Sequence, residues 1–161
     1  MRKPVVGVMG GASVGGDVEA MAERLGVLIA QHDWVLLNGG RNKGVMAASA
    51  RGAKKAGGTV IGVLPDKSDK RASPDLDFAI LTGLADARNL INVLSSDVVI
   101  ACPGSLGTMS EVVLALKHAK PVIMVDWDPW EALERYRRRG QLSVADGPVD
   151  AVEQVAAILG K

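Results

Sequence analysis

Two charged side chains and three glycine-bearing turns carry the chemistry available to this sequence. Arg88 falls in the first turn of an expected helix that follows a strand. Glu111 falls in the first turn of the next helix, beside the turn Pro103–Gly104–Ser105–Leu106–Gly107. A guanidinium can grip a phosphate or orient an acid, and a carboxylate can act on a sugar at its anomeric carbon. Each residue also has a plain structural alternative. Thr108-x-x-Glu111 has the spacing of a capping box, in which the glutamate does no more than satisfy backbone donors. Arg88 is equally placed to pair with Asp86 on the surface.

The glycine turns are Gly10–Gly11–Ala12–Ser13–Val14–Gly15–Gly16, Gly39–Gly40–Arg41–Asn42–Lys43–Gly44 and Pro103–Gly104–Ser105–Leu106–Gly107–Thr108. Each follows an apolar run and opens a helical pattern. A strand, a glycine turn and a helix N-terminus together hold anions, because free backbone N–H groups and the helix dipole point the same way. One such turn is weak evidence. Three on one sheet edge point to a phosphate-bearing ligand. The candidate contacts are Gly10, Gly11 and Ser13, then Gly39, Gly40, Arg41 and Gly44, then Gly104, Ser105, Leu106, Gly107 and Thr108.

These turns need a scaffold, and the hydrophobic pattern supplies one. Val5–Met9, Trp34–Asn38, Thr59–Leu64, Phe78–Leu81, Asp97–Cys102 and Pro121–Val125 read as strands. Helices are expected from a cap at Asp17 to about Gln31, from Val45 to Ala56, from Ala85 to Ser95 and from Thr108 onward. The last of these should bury Val112, Val113, Leu116 and Ala119. Two more are expected, from Asp128–Pro129–Trp130–Glu131 to about Arg139 and from Pro148 to Leu159. Asp66 to Asp77 is polar and without period, and reads as an exposed, mobile loop in the position of a lid. Strands alternating with helices argue a single α/β domain over residues 1–161, a doubly wound, mainly parallel sheet with helices on both faces.

Composition excludes several functions. The chain has 161 residues and a net charge of +1, from 19 basic and 18 acidic side chains, so no basic excess argues for nucleic acid. Arg137–Arg138–Arg139 suits a helix C-terminus. His32 and His118 both fall near helix ends and receive no function. The one cysteine, Cys102, precludes an internal disulfide and reads as a buried thiol; no metal site is expected. Gly10–Gly11 interrupts the first apolar run, and no run is long enough to span a membrane, so a cytoplasmic location is expected. The first turn does not spell GxGxxG, and the second strand ends in Asn38 rather than an acid, which argues against a dehydrogenase. No GK[ST] occurs.

Pro103–Gly104–Ser105–Leu106–Gly107–Thr108–Met109–Ser110–Glu111 resembles the PGGxGTxxE signature of the Lonely Guy (LOG, or SLOG) superfamily, many members of which carry a lysine decarboxylase label. The similarity covers about Val5 to Asp126. It implies a Rossmann-like fold and homo-oligomers, dimers or tetramers. In the LOG phosphoribohydrolases an arginine and the signature glutamate form the catalytic pair, which Arg88 and Glu111 match in spacing. Such an enzyme would act on an AMP-like or cytokinin nucleotide. Ser105 departs from the second glycine of that signature, and Asn89 stands where the hydrolases carry lysine. The stretches Asp86–Asp97 and Leu37–Met46 are closer to the molybdenum cofactor carrier proteins. Those hold a pterin with a phosphate tail and an oxo-anion, without hydrolysing it. The resemblance therefore implies a carrier of molybdenum cofactor (molybdopterin), with the phosphoribohydrolase as the alternative.

Overall fold

The computed structural model describes residues 1–128 and 131–160. The chain runs β1 (Val5–Met9), α1 (Gly16–Gln31), β2 (Val35–Asn38), α2 (Gly44–Lys55), β3 (Thr59–Leu64) and β4 (Phe78–Leu81). It continues with α3 (Arg88–Ser95), β5 (Val98–Ala101), α4 (Leu106–Lys117), β6 (Val122–Val125), α5 (Glu134–Arg138), β7 (Leu142–Ala145) and α6 (Pro148–Leu159). Single 3-10 turns, Ala85–Ala87 and Glu131–Leu133, lead into α3 and α5.

The strands form one sheet in the order β4-β3-β2-β1-β5-β6-β7, with every pair parallel. The chain steps outward from β1 to β4, then returns to the other side of β1 to lay down β5. The order therefore reverses between β1 and β5, where Met9 lies opposite Ala101. A crevice opens outside the carboxyl ends of two such strands, because their connections leave in opposite directions.

Successive strand residues face opposite sides, and both sides are covered. Val6, Val98, Ile100, Ile123 and Val125 pack under α1, α2 and α6 with Leu25, Ile29, Val45 and Val155. Val99, Ala101, Val122 and Met124 pack under α3, α4 and α5 with Val93, Val112 and Leu116. Central strands with two covered faces read as unbroken apolar runs, which is why Val98–Ala101 and Val122–Val125 hold no polar residue.

Several expectations change. The strand β7 falls where no strand was expected; Leu142 and Ala145 are buried, and Ser143 Oγ donates to Gln154 Oε1 of α6 at 2.6 Å. On α4, Val112 and Leu116 are buried, Val113 is exposed, and Ala119 lies beyond the helix with φ +56°. The cap of α1 is Gly15 rather than Asp17, which lies inside the first turn. The cap expected at Asp128–Pro129–Trp130–Glu131 rests on residues outside the described ones. The segment Asp66–Asp77 is clasped to the second glycine turn. Asn42 N–H donates to the Arg71 carbonyl at 3.0 Å, Ser73 N–H to the Gly40 carbonyl at 2.8 Å, and Arg41 bridges Ala72.

Among the described residues, no helix is long and apolar enough to cross a membrane. Burial pushes the Cys102 thiol up to about 12, so it stays protonated and inert.

Candidate functional site

All three glycine turns lie on the carboxyl edge of the sheet and are stitched to one another. Gly11 N–H donates to the Pro103 carbonyl, and Val45 N–H donates to the Gly11 carbonyl, both at 3.0 Å. Cys102 N–H reaches the Met9 carbonyl at 2.8 Å, closing the base of the crevice between β1 and β5. Asn38 organises the second turn from beneath. It is fully buried, its Nδ2 donates to the Met46 carbonyl and Ser49 Oγ, and its Oδ1 accepts Gly40 N–H at 2.8 Å.

Three helices start at this edge without a side-chain cap. Their N-cap residues are Gly15 for α1, Lys43 for α2 and Ser105 for α4. A helix start leaves its first N–H groups without intrahelical partners, so uncapped starts present donors and positive dipole ends to whatever occupies the crevice. Gly44 opens α2 with φ +50°, and a Cβ there would overlap the Gly11 carbonyl oxygen. Only glycine lets the first two turns meet this closely. Ser105 has φ −110°, an extended conformation open to any residue, so serine fits where the signature has glycine.

The capping box does not form. The helix begins at Leu106, two residues before Thr108, and Glu111 is directed to α3 instead. Asn92 Nδ2 donates to Glu111 Oε1 at 2.8 Å. Glu111 is 8% exposed, and burial raises its carboxyl to about 7 against the opposing effects of Asn92 and the Arg88 charge. Its affinity for a proton is therefore well above that of an ordinary carboxylate.

Arg88 is not a surface residue paired with Asp86. It is largely buried, and its guanidinium is held by carbonyls. Nη1 donates to Gly39 and Val63, both at 2.7 Å, and Nε donates to Asn89 Oδ1 at 3.1 Å. Burial, partly offset by the negative charge of Glu111, lowers its pKa below that of an ordinary guanidinium. The chain of contacts continues to the third turn. Asn89 Nδ2 donates to Ser110 Oγ at 2.9 Å, and Ser110 Oγ donates to the Gly107 carbonyl at 2.7 Å. The asparagine that departs from the hydrolase pattern thus links the arginine to the glycine turn.

These elements enclose a cleft of about 220 Å³. Of the residues singled out in the sequence, Gly10, Gly11, Gly39, Arg41, Ser105, Gly107, Thr108, Arg88 and Glu111 line it. Ser13 and Gly104 line an adjoining hollow on the far side of Gly11 and Ser105. Gly40, Gly44 and Leu106 line neither; Gly40 lies against Gly62 and Leu64, and Leu106 points to solvent, 81% exposed. Lys43, Asn89 and the buried Asn92 are the contributors that sequence reasoning missed. The local signal for the two asparagines is a pair of polar residues one helical turn apart in the short helix Arg88–Ser95. Among the described residues, no group of three or more His, Cys, Asp or Glu side chains is arranged to hold a metal ion.

A parallel sheet with two uncapped helix starts on one charged cleft and a third beside it narrows the field, and comparison with known proteins decides the family. The model of the SLOG cluster4 family matches residues 3–152. The chain belongs to the SLOG cluster4 family. Among solved structures, this SLOG chain is similar to the molybdenum cofactor binding protein of the phototrophic bacterium Rippkaea orientalis, with 49% identity, TM-score 0.93 and 99% of each chain covered. It is similar to the molybdenum cofactor carrier protein of Chlamydomonas reinhardtii, with 43% identity, TM-score 0.89 and 99% and 100% of the two chains covered. A cytokinin riboside 5′-monophosphate phosphoribohydrolase of Mycobacterium tuberculosis is 36% identical over 118 residues. That match takes in 68% of this chain but 62% of the hydrolase.

Proposed function

We propose that this SLOG protein binds a phosphate-bearing cofactor, the molybdenum cofactor, and carries it without hydrolysing it. The observation that carries this reading is the convergence of two uncapped helix starts, those of α2 and α4, with the cations Arg41, Lys43 and Arg88 on one cleft. Backbone N–H groups and fixed cations suit a phosphate tail and an oxo-anion, and no covalent step is required of them. Arg88 is committed to two carbonyls and to Asn89, so it acts as a preset positive wall. The likeness to carrier and binding proteins along the full chain supports the same cargo.

A phosphoribohydrolase is the second reading, and one observation favours it. A glutamate near pH 7 inside the cleft has the proton affinity of a general acid or base. Mass spectrometry of small molecules released from the purified protein separates the two. A pterin phosphate with molybdenum supports the carrier, and a nucleotide or free base supports the enzyme.

Self-association is part of the proposal. The edge strand β4 exposes Phe78, Ile80 and Leu81, with Leu84 just beyond, and among the described residues one side of its backbone has no strand partner. An apolar edge of this kind invites pairing with a second copy. We infer a homo-oligomer acting in the cytoplasm on a small molecule, with nucleic acid and membrane outside its range.

A further inference from the structure

We propose that the hollow bounded by Arg41, Asn42, Lys43 and Arg71 is a second anion subsite, contiguous with the cleft, and that the cofactor's tail carries a second phosphate linked to the first, beyond the single phosphate that the carrier reading requires. The inference rests on the anion-binding reading above and specifies the ligand further. Arg41 and Lys43 line both spaces, so nothing has to open for a ligand to extend from one to the other. The cleft, at about 220 Å³, is smaller than the roughly 300 Å³ at which sites for ligands of drug size begin. A pterin with its tail must overflow it.

Two spaces adjoin the cleft. The one beside Val14, Val18 and Pro103 is walled by glycine backbone, apolar side chains and the hydroxyls Ser13 and Ser105, with no charged side chain. The one beside Arg71, about 450 Å³, is cationic. Its walls are held in place. Asn42 N–H donates to the Arg71 carbonyl, and Arg41 bridges Ala72 across the two loops. The Asp66 carboxylate takes Arg41 Nε at 3.1 Å and Nη2 at 3.0 Å, which orients that guanidinium and uses its charge. Lys43 keeps its charge, and Arg71 acts on Asp66 only at longer range, without a direct ion pair. Among the described residues, neither has a carboxylate within 4.0 Å. Two cations without a directly bonded carboxylate, facing one hollow, suit a phosphate, and a charge-assisted contact strengthens binding by about tenfold or more.

The test uses inorganic phosphate, pyrophosphate and tripolyphosphate as probes, with isothermal calorimetry on the full-length protein. Wild type should bind pyrophosphate or tripolyphosphate at least about tenfold more tightly than phosphate. Arg71→Ala should remove that advantage. Lys70→Ala, which takes the same charge from the same loop outside the hollow, should keep it. Equal affinity for all three probes, or an advantage that survives Arg71→Ala, overturns the second subsite while leaving the cleft intact. An advantage lost equally in Lys70→Ala also overturns it, because the loop's net charge then explains the effect. Failure of wild type to bind any of the probes overturns the subsite and the anion-binding reading together.

Discussion

Glu111 should make the protein less stable as pH rises through neutrality, and Glu111→Gln should remove that dependence. The carboxyl lies near 4.5 in an unfolded chain and at about 7 in the fold. Between these values the folded state holds more protons than the unfolded state, so stability falls with rising pH. The favourable state is fully present below pH 4.5, and the loss is complete above about 7. Carrying a carboxyl from 4.5 to about 7 costs roughly 3 kcal/mol, at 1.36 kcal/mol per pH unit. Glutamine keeps an oxygen for Asn92 Nδ2 and has no charge to desolvate, so it isolates the ionisation. Thermal unfolding of ligand-free wild type and Glu111→Gln should be measured at pH 4.5 and pH 8. At pH 4.5 the two should melt within about 2 °C, close to the error of the assay. At pH 8 the variant should melt roughly 6–12 °C higher, taking 2–4 °C per kcal/mol for a chain of this size. A difference that is the same at both pH values would refute the reasoning, because the carboxyl would then titrate alike in the folded and unfolded states.

Asn92→Leu removes the hydrogen-bond donor that holds Glu111, so the carboxyl should move further up from about 7; an NMR titration of its side-chain carbon reads this, and a downward move contradicts it. Two glycines of the third turn should separate stability from binding. A Cβ on Gly104 would lie 2.7 Å from Thr108 Cβ and 2.9 Å from Gly11 N, so Gly104→Ala should cost about 1–3 kcal/mol in denaturant unfolding. A Cβ on Gly107 meets nothing within 4 Å, so Gly107→Val should change stability by less than about 1 kcal/mol and weaken phosphate binding at least about tenfold. Ile80→Lys on the exposed β4 edge should shift the protein to a smaller species in sedimentation velocity, and an unchanged distribution would place the interface elsewhere.

The parts of the fold written locally were legible. Val98–Ala101 and Val122–Val125 are apolar throughout because both of their faces are covered, and the glycine turns mark the strand ends where the cleft forms. The short edge strand Leu142–Ala145 was not, because it holds two buried residues and pairs on one side only. The loop Asp66–Asp77 read as free because its partners, Gly40 and Asn42, lie far back in the chain. The capping box shows the same limit from the other side. Its spacing is local and correct, but Glu111 is taken by Asn92, 19 residues earlier, in a buried setting where a tertiary donor outweighs a helix end. Asn38, Asn89 and Asn92 carry no pattern of their own; each acquires its role from a carbonyl, hydroxyl or carboxylate that folding brings to it.

The central claim, that the cleft carries a cofactor and does not cleave a nucleotide, meets its most direct test in one paired measurement. Wild-type protein is loaded with molybdenum cofactor and exposed to air, and the cofactor surviving is read by its transfer to an apo-molybdoenzyme. The same preparation is incubated with AMP and with a cytokinin riboside 5′-monophosphate, and free base is quantified. The account predicts stoichiometric retention and protection of the cofactor, with no base released from either nucleotide. Turnover of AMP that disappears in both Glu111→Ala and Arg88→Ala, with no protection of the cofactor, would contradict it.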